Sequence, residues 1–126
     1  MTPFLLEPGE EMPLRRVRFT NFRIHGEGQR EFITLRPTVN QYMKVKTPGR
    51  ISDVTFSNVV VTGSRTGPAR VLVQGADAQH TVERVTFERV ARYGEWLNAG
   101  ASNLTVGPFT GEVRFALAPP SPSSSD

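Results

Sequence analysis

The sequence predicts an all-β protein in which about four coils of parallel strands stack on one another. A motif of the form Val-x-Phe-x-Asn recurs with small variations, and its copies begin at Val17, Val54, Val85 and Val113. The intervals between the copies are 37, 31 and 28 residues, so the strand motif is kept while the spacers vary. Strands stacked in register, with loops of different length between them, are typical of a parallel β-helix.

Each copy of the motif predicts two short strands joined at a one-residue bend. Val17 and Phe19 alternate as on one face of a strand, but the next apolar residues, Phe22 and Ile24, follow after a step of three. A slip of one residue would turn side chains to the wrong face unless the chain bends there. The slipped position is held in successive copies by Asn21, Asn58 and Arg89. Because Asn tolerates the left-handed backbone conformation, we expect a bend at this position.

Further strands and side-chain ladders follow from the same alignment. Glycines end the second strand of three copies, at Gly26, Gly63 and Gly94. Third strands are predicted at residues 31–35, 70–74 and 95–97. Stacking predicts one inward ladder of the four valines and one of Phe19, Phe56, Phe87 and Phe115. The residues before the valines alternate in charge and predict exposed ion pairs between coils: Arg16, Asp53, Arg84 and Glu112.

These patterns divide the chain into three parts. Residues 1–13 contain three prolines and are predicted to be a lead-in loop, residues 14–117 form the parallel β-helix domain, and the Pro/Ser-rich residues 118–126 are predicted to be a disordered tail. A β-sandwich is the alternative fold, and antiparallel pairing of the Val54 and Val85 strands would establish it. There is no Cys, no stretch that could form a membrane helix and no secretory signal, and the net charge is +3.

Several stretches resemble a known family. Residues 49–63 (GRISDVTFSNVVVTG), residues 74–87 and the closing stretch 103–115, which begins with NLTVGPF, are similar to the C-terminal coils of polygalacturonase-like proteins. These are the family 28 glycoside hydrolases and their relatives with the pectin-lyase-like fold. The resemblance implies a right-handed, single-stranded parallel β-helix. Active members are inverting hydrolases with Asn-Thr-Asp, Asp-Asp and Gly-His-Gly motifs, and none of these motifs occurs here.

The resemblance also suggests where a saccharide would bind. Met43-Lys44-Val45-Lys46 looks like a weakened copy of the family's Arg-Ile-Lys motif, which binds the substrate carboxylate, with Lys44 in place of Arg and Lys46 matching Lys. Together with Arg36 and Arg50 they place four cations around the longest spacer. We therefore predict that Arg36, Lys44, Lys46 and Arg50 contact the substrate. The alternative is a loop that only solubilises the protein.

No pair of acids stands out among the candidate carboxylates, which include Asp53, Asp77 and Glu83. Inverting hydrolysis needs two carboxyl groups roughly 6.5–9.5 Å apart, so the chain is predicted to lack the catalytic acids. His80 near Asp77 could be a metal ligand, a base or the partner of a turn hydrogen bond. Trp96 could stack on a sugar ring or could be a core or cap residue.

Two functional hypotheses follow. The first is the C-terminal β-helix portion of a polygalacturonase-like glycoside hydrolase acting on plant or bacterial polysaccharide. The alternative is a non-catalytic carbohydrate-binding or structural β-helix module. Both imply a polysaccharide or oligosaccharide partner, with an acidic one favoured by the cations, and neither implies a cofactor or a metal.

Other partners and the location follow from the same sequence features. Nucleic-acid binding is disfavoured, since exposed aromatic residues are not interleaved with the cations, and no membrane partner is expected. Family analogy suggests a secreted or periplasmic protein. The N-terminal end of the stack is predicted to drive self-association unless residues 1–13 cap it.

Overall fold

The structure is a computed structural model, and it describes residues 2–39 and 47–116. Within these residues the chain forms nine β-strands and no helix, which confirms the all-β prediction. The strands are β1 (Phe4–Leu6), β2 (Pro13–His25), β3 (Glu31–Leu35), β4 (Arg50–Thr62), β5 (Arg70–Val73), β6 (Val82–Arg92), β7 (Glu95–Trp96), β8 (Leu104–Val106) and β9 (Val113–Ala116).

The strands form two sheets, and the chain passes from one to the other. Sheet I has the order β1-β3-β5-β8, and all its neighbours are parallel. Sheet II has the order β2-β4-β6, with β9 parallel and β7 antiparallel along the far edge of β6. Val54 lies beside Val85 in a parallel register, so the antiparallel β-sandwich alternative is wrong for this pair. A single cluster of buried apolar side chains is drawn from both sheets.

The predicted valine and phenylalanine ladders are present in sheet II. Val17 pairs with Val54, Val54 with Val85 and Val85 with Val113. The rings of Phe19, Phe56, Phe87 and Phe115 stack in that order, with centroids 5.0, 5.4 and 5.4 Å apart and planes within 18° of parallel. The two middle rungs of each ladder are fully buried. Repetition of identical residues at one register position therefore builds the core of this sheet.

The predicted left-handed bend is also present. Asn21, Asn58 and Arg89 have φ of 62°, 55° and 54°. The amide nitrogen of Asn58 donates to the side-chain oxygen of Asn21 at 2.7 Å, so the bends of neighbouring strands are joined by a side-chain hydrogen bond. This bend turns Val59 and Val61 inward after Phe56, and both valines are fully buried.

A second bend in each long strand of sheet II was not predicted. Arg16, Asp53 and Arg84, the residues before the valines, have φ of 56°, 55° and 55°. The register of the ladder skips these positions, as it skips Asn21 and Asn58. Their charged side chains lie outside the ladder at the protein surface, where Arg16 and Arg84 are exposed and Asp53 is half-buried.

The N-terminal segment differs from the prediction. Residues 1–13 were expected to form a loop, but Phe4–Leu6 form β1 and pair with β3. The ring of Phe4 packs edge-on against Phe19 and Phe56, with centroids 5.1 and 5.4 Å away. Burial of this ring explains why a three-residue strand forms at the end of the stack. Phe4 thereby closes part of the N-terminal end of the core.

The third strand of the Val85 repeat was predicted in the wrong place. Residues 95–97 were expected to continue the third-strand series, but β7 folds back antiparallel onto β6. The turn residues Tyr93 and Gly94 both have positive φ, 51° and 82°, as a two-residue type I′ hairpin requires. The strand that continues sheet I is β8, which pairs with β5. The predicted Pro/Ser tail at 118–126 lies outside the described residues.

Candidate functional site

Two of the four predicted substrate-binding residues, Arg36 and Arg50, lie in the described part of the chain, and both contact the N-terminal segment. Nε of Arg36 lies 3.1 Å from the carboxylate of Glu7. Arg50 lies 3.6 Å from Glu11 and donates from Nε to the carbonyl of Gln79 at 2.8 Å. Each arginine is therefore already paired with an acid of the N-terminal segment. The other two predicted residues, Lys44 and Lys46, lie outside the described residues.

The predicted charge ladder forms one strong contact between coils. Arg84 binds Asp53 with two hydrogen bonds, Nε to Oδ1 at 2.7 Å and Nη2 to Oδ2 at 3.0 Å. The hydrogen bond from Arg84 holds the pKa of Asp53 below its usual value. Glu112, directly before β9, contacts Arg114 of that strand. These residues surround a surface cavity of about 290 Å³, but its charges already pair with one another.

His80 forms the turn hydrogen bond that was one of the sequence alternatives, and it makes a second contact as well. Its Nδ1 lies 2.8 Å from Asp77, and its Nε2 lies 3.3 Å from Glu11 of the N-terminal segment. The hydrogen bond to Asp77, with help from Glu11, raises the pKa of His80. The residue is 7% exposed, so a protonated His80 ties the turn before β6 to the chain before β2.

A residue that the sequence analysis did not select has the least ordinary environment. Arg92, at the end of β6, is only 8% exposed. Its Nη1 donates to the carbonyls of Pro68 and Ala69 at 3.3 and 3.2 Å. Its Nε is buried and has no hydrogen-bond partner among the described residues. No carboxylate of the described part of the chain forms an ion pair with it.

The register explains how this arginine comes to be buried. Arg92 pairs with Val61, which in turn pairs with Ile24, so it occupies a row that is apolar in the two preceding strands. Burial lowers the pKa of its guanidinium, and the negative charge of Glu95 opposes that change. An arginine nevertheless stays charged in proteins. A buried charge without an ion partner is unfavourable, and an added anion would relieve it.

Arg92 lies at a cleft with polar walls. The cleft has a volume of about 220 Å³ and is lined by Thr66, Gly67, Pro68, Arg92, Tyr93, Glu95, Ser102 and Asn103. The hydroxyl of Tyr93 is held by the backbone, since it contacts the carbonyl of Gly26 and accepts from the N–H of Gln29 at 2.8 Å. Hydroxyls and an amide beside a guanidinium form a surface that can bind a carboxylate and the hydroxyl groups attached to it.

Trp96 lies on β7 and is 47% exposed, so it is not a core residue. The described residues contain no group of three or more potential metal-binding side chains. They also contain no helix that is long and apolar enough to cross a membrane.

The signal for Arg92 was present in the sequence. Aligning the repeats two residues beyond Val90 places this arginine in register with Val61 and Ile24, in a row that is otherwise apolar. A charged residue in an inward row is the exception that could have identified it.

Comparison with protein-family models, with curated proteins and with solved structures gives no match for this chain.

Proposed function

We propose that this chain is a right-handed parallel β-helix module that binds an acidic saccharide without hydrolysing it, and that the Arg92 cleft is where the saccharide carboxylate binds. The observation that carries the proposal is a buried guanidinium beside a polar cleft, with an Nε that has no partner in the described part of the chain. The alternation of the chain between two parallel sheets supports the β-helix. The resemblance to polygalacturonase-like proteins supplies the saccharide class.

The acids of the described residues favour binding over hydrolysis. A general acid for glycoside cleavage needs a raised pKa. Where the carboxyl pKa values shift in this protein, at Glu27, Asp53 and Asp77, they shift downward because hydrogen bonds stabilise the charged form. Asp53 is also fixed by Arg84. These carboxylates are suited to holding neighbouring strands together.

The glycoside hydrolase hypothesis remains as the second candidate. If these coils are the C-terminal portion of a polygalacturonase-like hydrolase, other coils would supply the acids, and the Arg92 cleft would contribute to the sugar groove. The sequence similarity at 49–63 and 103–109 favours this candidate. Release of reducing ends from polygalacturonate by the purified chain would mean that a catalytic pair is present. Family analogy suggests a secreted or periplasmic protein in either case.

Arg92 would supply most of the charge recognition. A hydrogen bond to a charged group contributes about 1.5–3 kcal/mol, which corresponds to a change in Kd of roughly 10- to 100-fold. Lysine at this position would keep the charge but lose the planar fork, because an ammonium cannot present two parallel donors. We therefore expect Arg92→Lys to bind less tightly than the native chain and more tightly than Arg92→Gln.

The test is titration calorimetry with oligogalacturonate and with its fully methyl-esterified form. We expect binding of the acid form only, with a loss of at least about tenfold in Arg92→Gln. Arg23→Gln removes the same charge from an exposed position on β2 and is the matched control, expected to bind like the native chain. Thermal unfolding of each variant establishes that it is folded. Equal binding of the ester, or undiminished binding by folded Arg92→Gln, would contradict the proposal.

A further inference from the structure

The two ends of the strand stack present complementary edges. At one end the outer edges of β1 and β2 pair with no other described strand. At the other end the same is true of β8 and β9. β2 is 13 residues long, and an edge strand of that length is a ready template for another strand. Phe4 closes part of the interior at the first end, so any association there would use the edges and the rim.

The order of the strands allows a second copy to continue the stack. The described chain begins with β1 in sheet I and ends with β9 in sheet II, and each sheet contains four parallel strands. A second copy placed beyond β9 would bring its β1 beside β8 and its β2 beside β9. The alternation between the two sheets would then continue across the junction without a missing strand.

The chemistry of the edges agrees with this placement. Leu104 and Val106 of β8 would meet Phe4 and Leu6 of the second copy, extending the rows in which Ile33 and Leu35 already pair with Val71 and Val73. Val106 is 46% exposed in the single chain and would be covered. In sheet II the second copy's β2 would pair with β9, which is parallel to it, and not with the antiparallel β7.

The charge ladder gives the junction a direction. Its order is Arg16, Asp53, Arg84 and Glu112, which is an even number of alternating charges. In a head-to-tail stack the second copy's Arg16 therefore meets Glu112, and the alternation is preserved. If two copies met through identical ends, their β2 strands or their β9 strands would run antiparallel, and the charge ladder would not continue in register across the junction.

We propose that this protein associates head to tail, with the β1–β2 end of one copy on the β8–β9 end of the next. Such an interface joins two different surfaces, so it extends to open chains of copies and does not stop at a dimer. The inference goes beyond saccharide binding and does not depend on it, since it uses the ends of the stack and not the Arg92 cleft.

The test uses sedimentation velocity of the full chain over a range of concentrations, with two charge reversals. Arg16→Glu places a second carboxylate against Glu112, and Glu112→Arg places a second guanidinium against Arg16. Each variant alone should associate at least about tenfold more weakly than the native chain, because like charges meet at the junction. In an equimolar mixture every junction between one variant and the other joins ends of opposite charge, at the two unaltered ends and equally at the two reversed ends. Association into chains in which the variants alternate should therefore return. Circular dichroism of each variant checks that it is folded.

Arg23→Glu, a reversal elsewhere on β2, is the control and should associate like the native chain. A native chain that stays monomeric at every concentration would overturn the inference and would indicate that another segment or partner covers the edges. Association of the native chain that the single reversals do not weaken, or that the mixture does not restore, would overturn the head-to-tail register.

Discussion

Truncation of one phenylalanine in the middle of the ladder measures how much the stacked core stabilises the protein. Phe56 is fully buried, and its ring stacks between Phe19 and Phe87 at centroid distances of 5.0 and 5.4 Å. Phe-to-Ala changes in cores cost about 3–5 kcal/mol, and an aromatic pair adds about 0.5–1.5 kcal/mol. Because the ring stacks on two neighbours, Phe56→Ala should fall in the upper part of the range for whole-ring truncation and lower the free energy of unfolding by about 4–5 kcal/mol.

The end of the same ladder provides the comparison. Phe115 is partly exposed and stacks on Phe87 alone among the described rings, so Phe115→Ala should cost about 1–2 kcal/mol. Urea unfolding followed by circular dichroism gives both values, with Phe56→Leu as a milder variant if Phe56→Ala does not fold. Equal losses at the two positions would refute the account, because the central rung would then be no more buried than the end.

Three further outcomes are expected. Asn58→Ala should lower the free energy of unfolding in urea by about 1–2 kcal/mol, because alanine is strained at positive φ and cannot replace the amide hydrogen bond. Asn58→Gly should lose less, since glycine adopts positive φ without strain. Equal losses in the two variants would contradict a left-handed bend. The folded state raises the pKa of His80, so the stability that this residue contributes is complete below its unfolded pKa and is lost as pH rises through the higher folded value. The melting temperature of the native chain should therefore fall over that pH window, and that of His80→Gln should not. A parallel pH dependence of the two melting temperatures would contradict the assignment. Gly75→Ala would place a methyl group 2.2 Å from the backbone oxygen of Phe109 and should clearly lower the melting temperature. Gly100→Ala, whose methyl group would have its nearest neighbour at 3.6 Å, should not. An unchanged melting temperature for Gly75→Ala would mean that the turn is looser than described.

The repeats could be predicted because parallel stacking places like residues beside one another. Val54 and Val85 are each followed by Thr and Phe, and they occupy the same register position in neighbouring strands. The step of three after Phe56 identified the bend at Asn58, since a slip in alternation has few other structural causes. The second bend at Asp53 has the same signal, a step of three from the buried Ile51 to the buried Val54, but the charge at this position was interpreted only as part of an ion-pair ladder.

The features that were missed depend on contacts between distant residues. Strand β1 is three residues long and is stabilised by the burial of Phe4 among rings far along the chain. Gly94 was assigned to the end of a strand, but together with Tyr93 it forms a hairpin turn, and the same glycine signal fits both. For the candidate site, the prediction selected cations in a long spacer, while Arg92 stands in an apolar row where only the register reveals it.

Interstrand nuclear Overhauser effects between β4 and β6 test the central claim, the parallel in-register stack, most directly. The parallel register pairs Val54 with Val85, Phe56 with Phe87 and Val59 with Val90, so every contact should join residues with the same separation in sequence, 31 positions. An antiparallel arrangement would give separations that change steadily along the strands, because one strand is then read in the opposite direction. A constant separation along both strands is the predicted result, and a changing one would contradict the account.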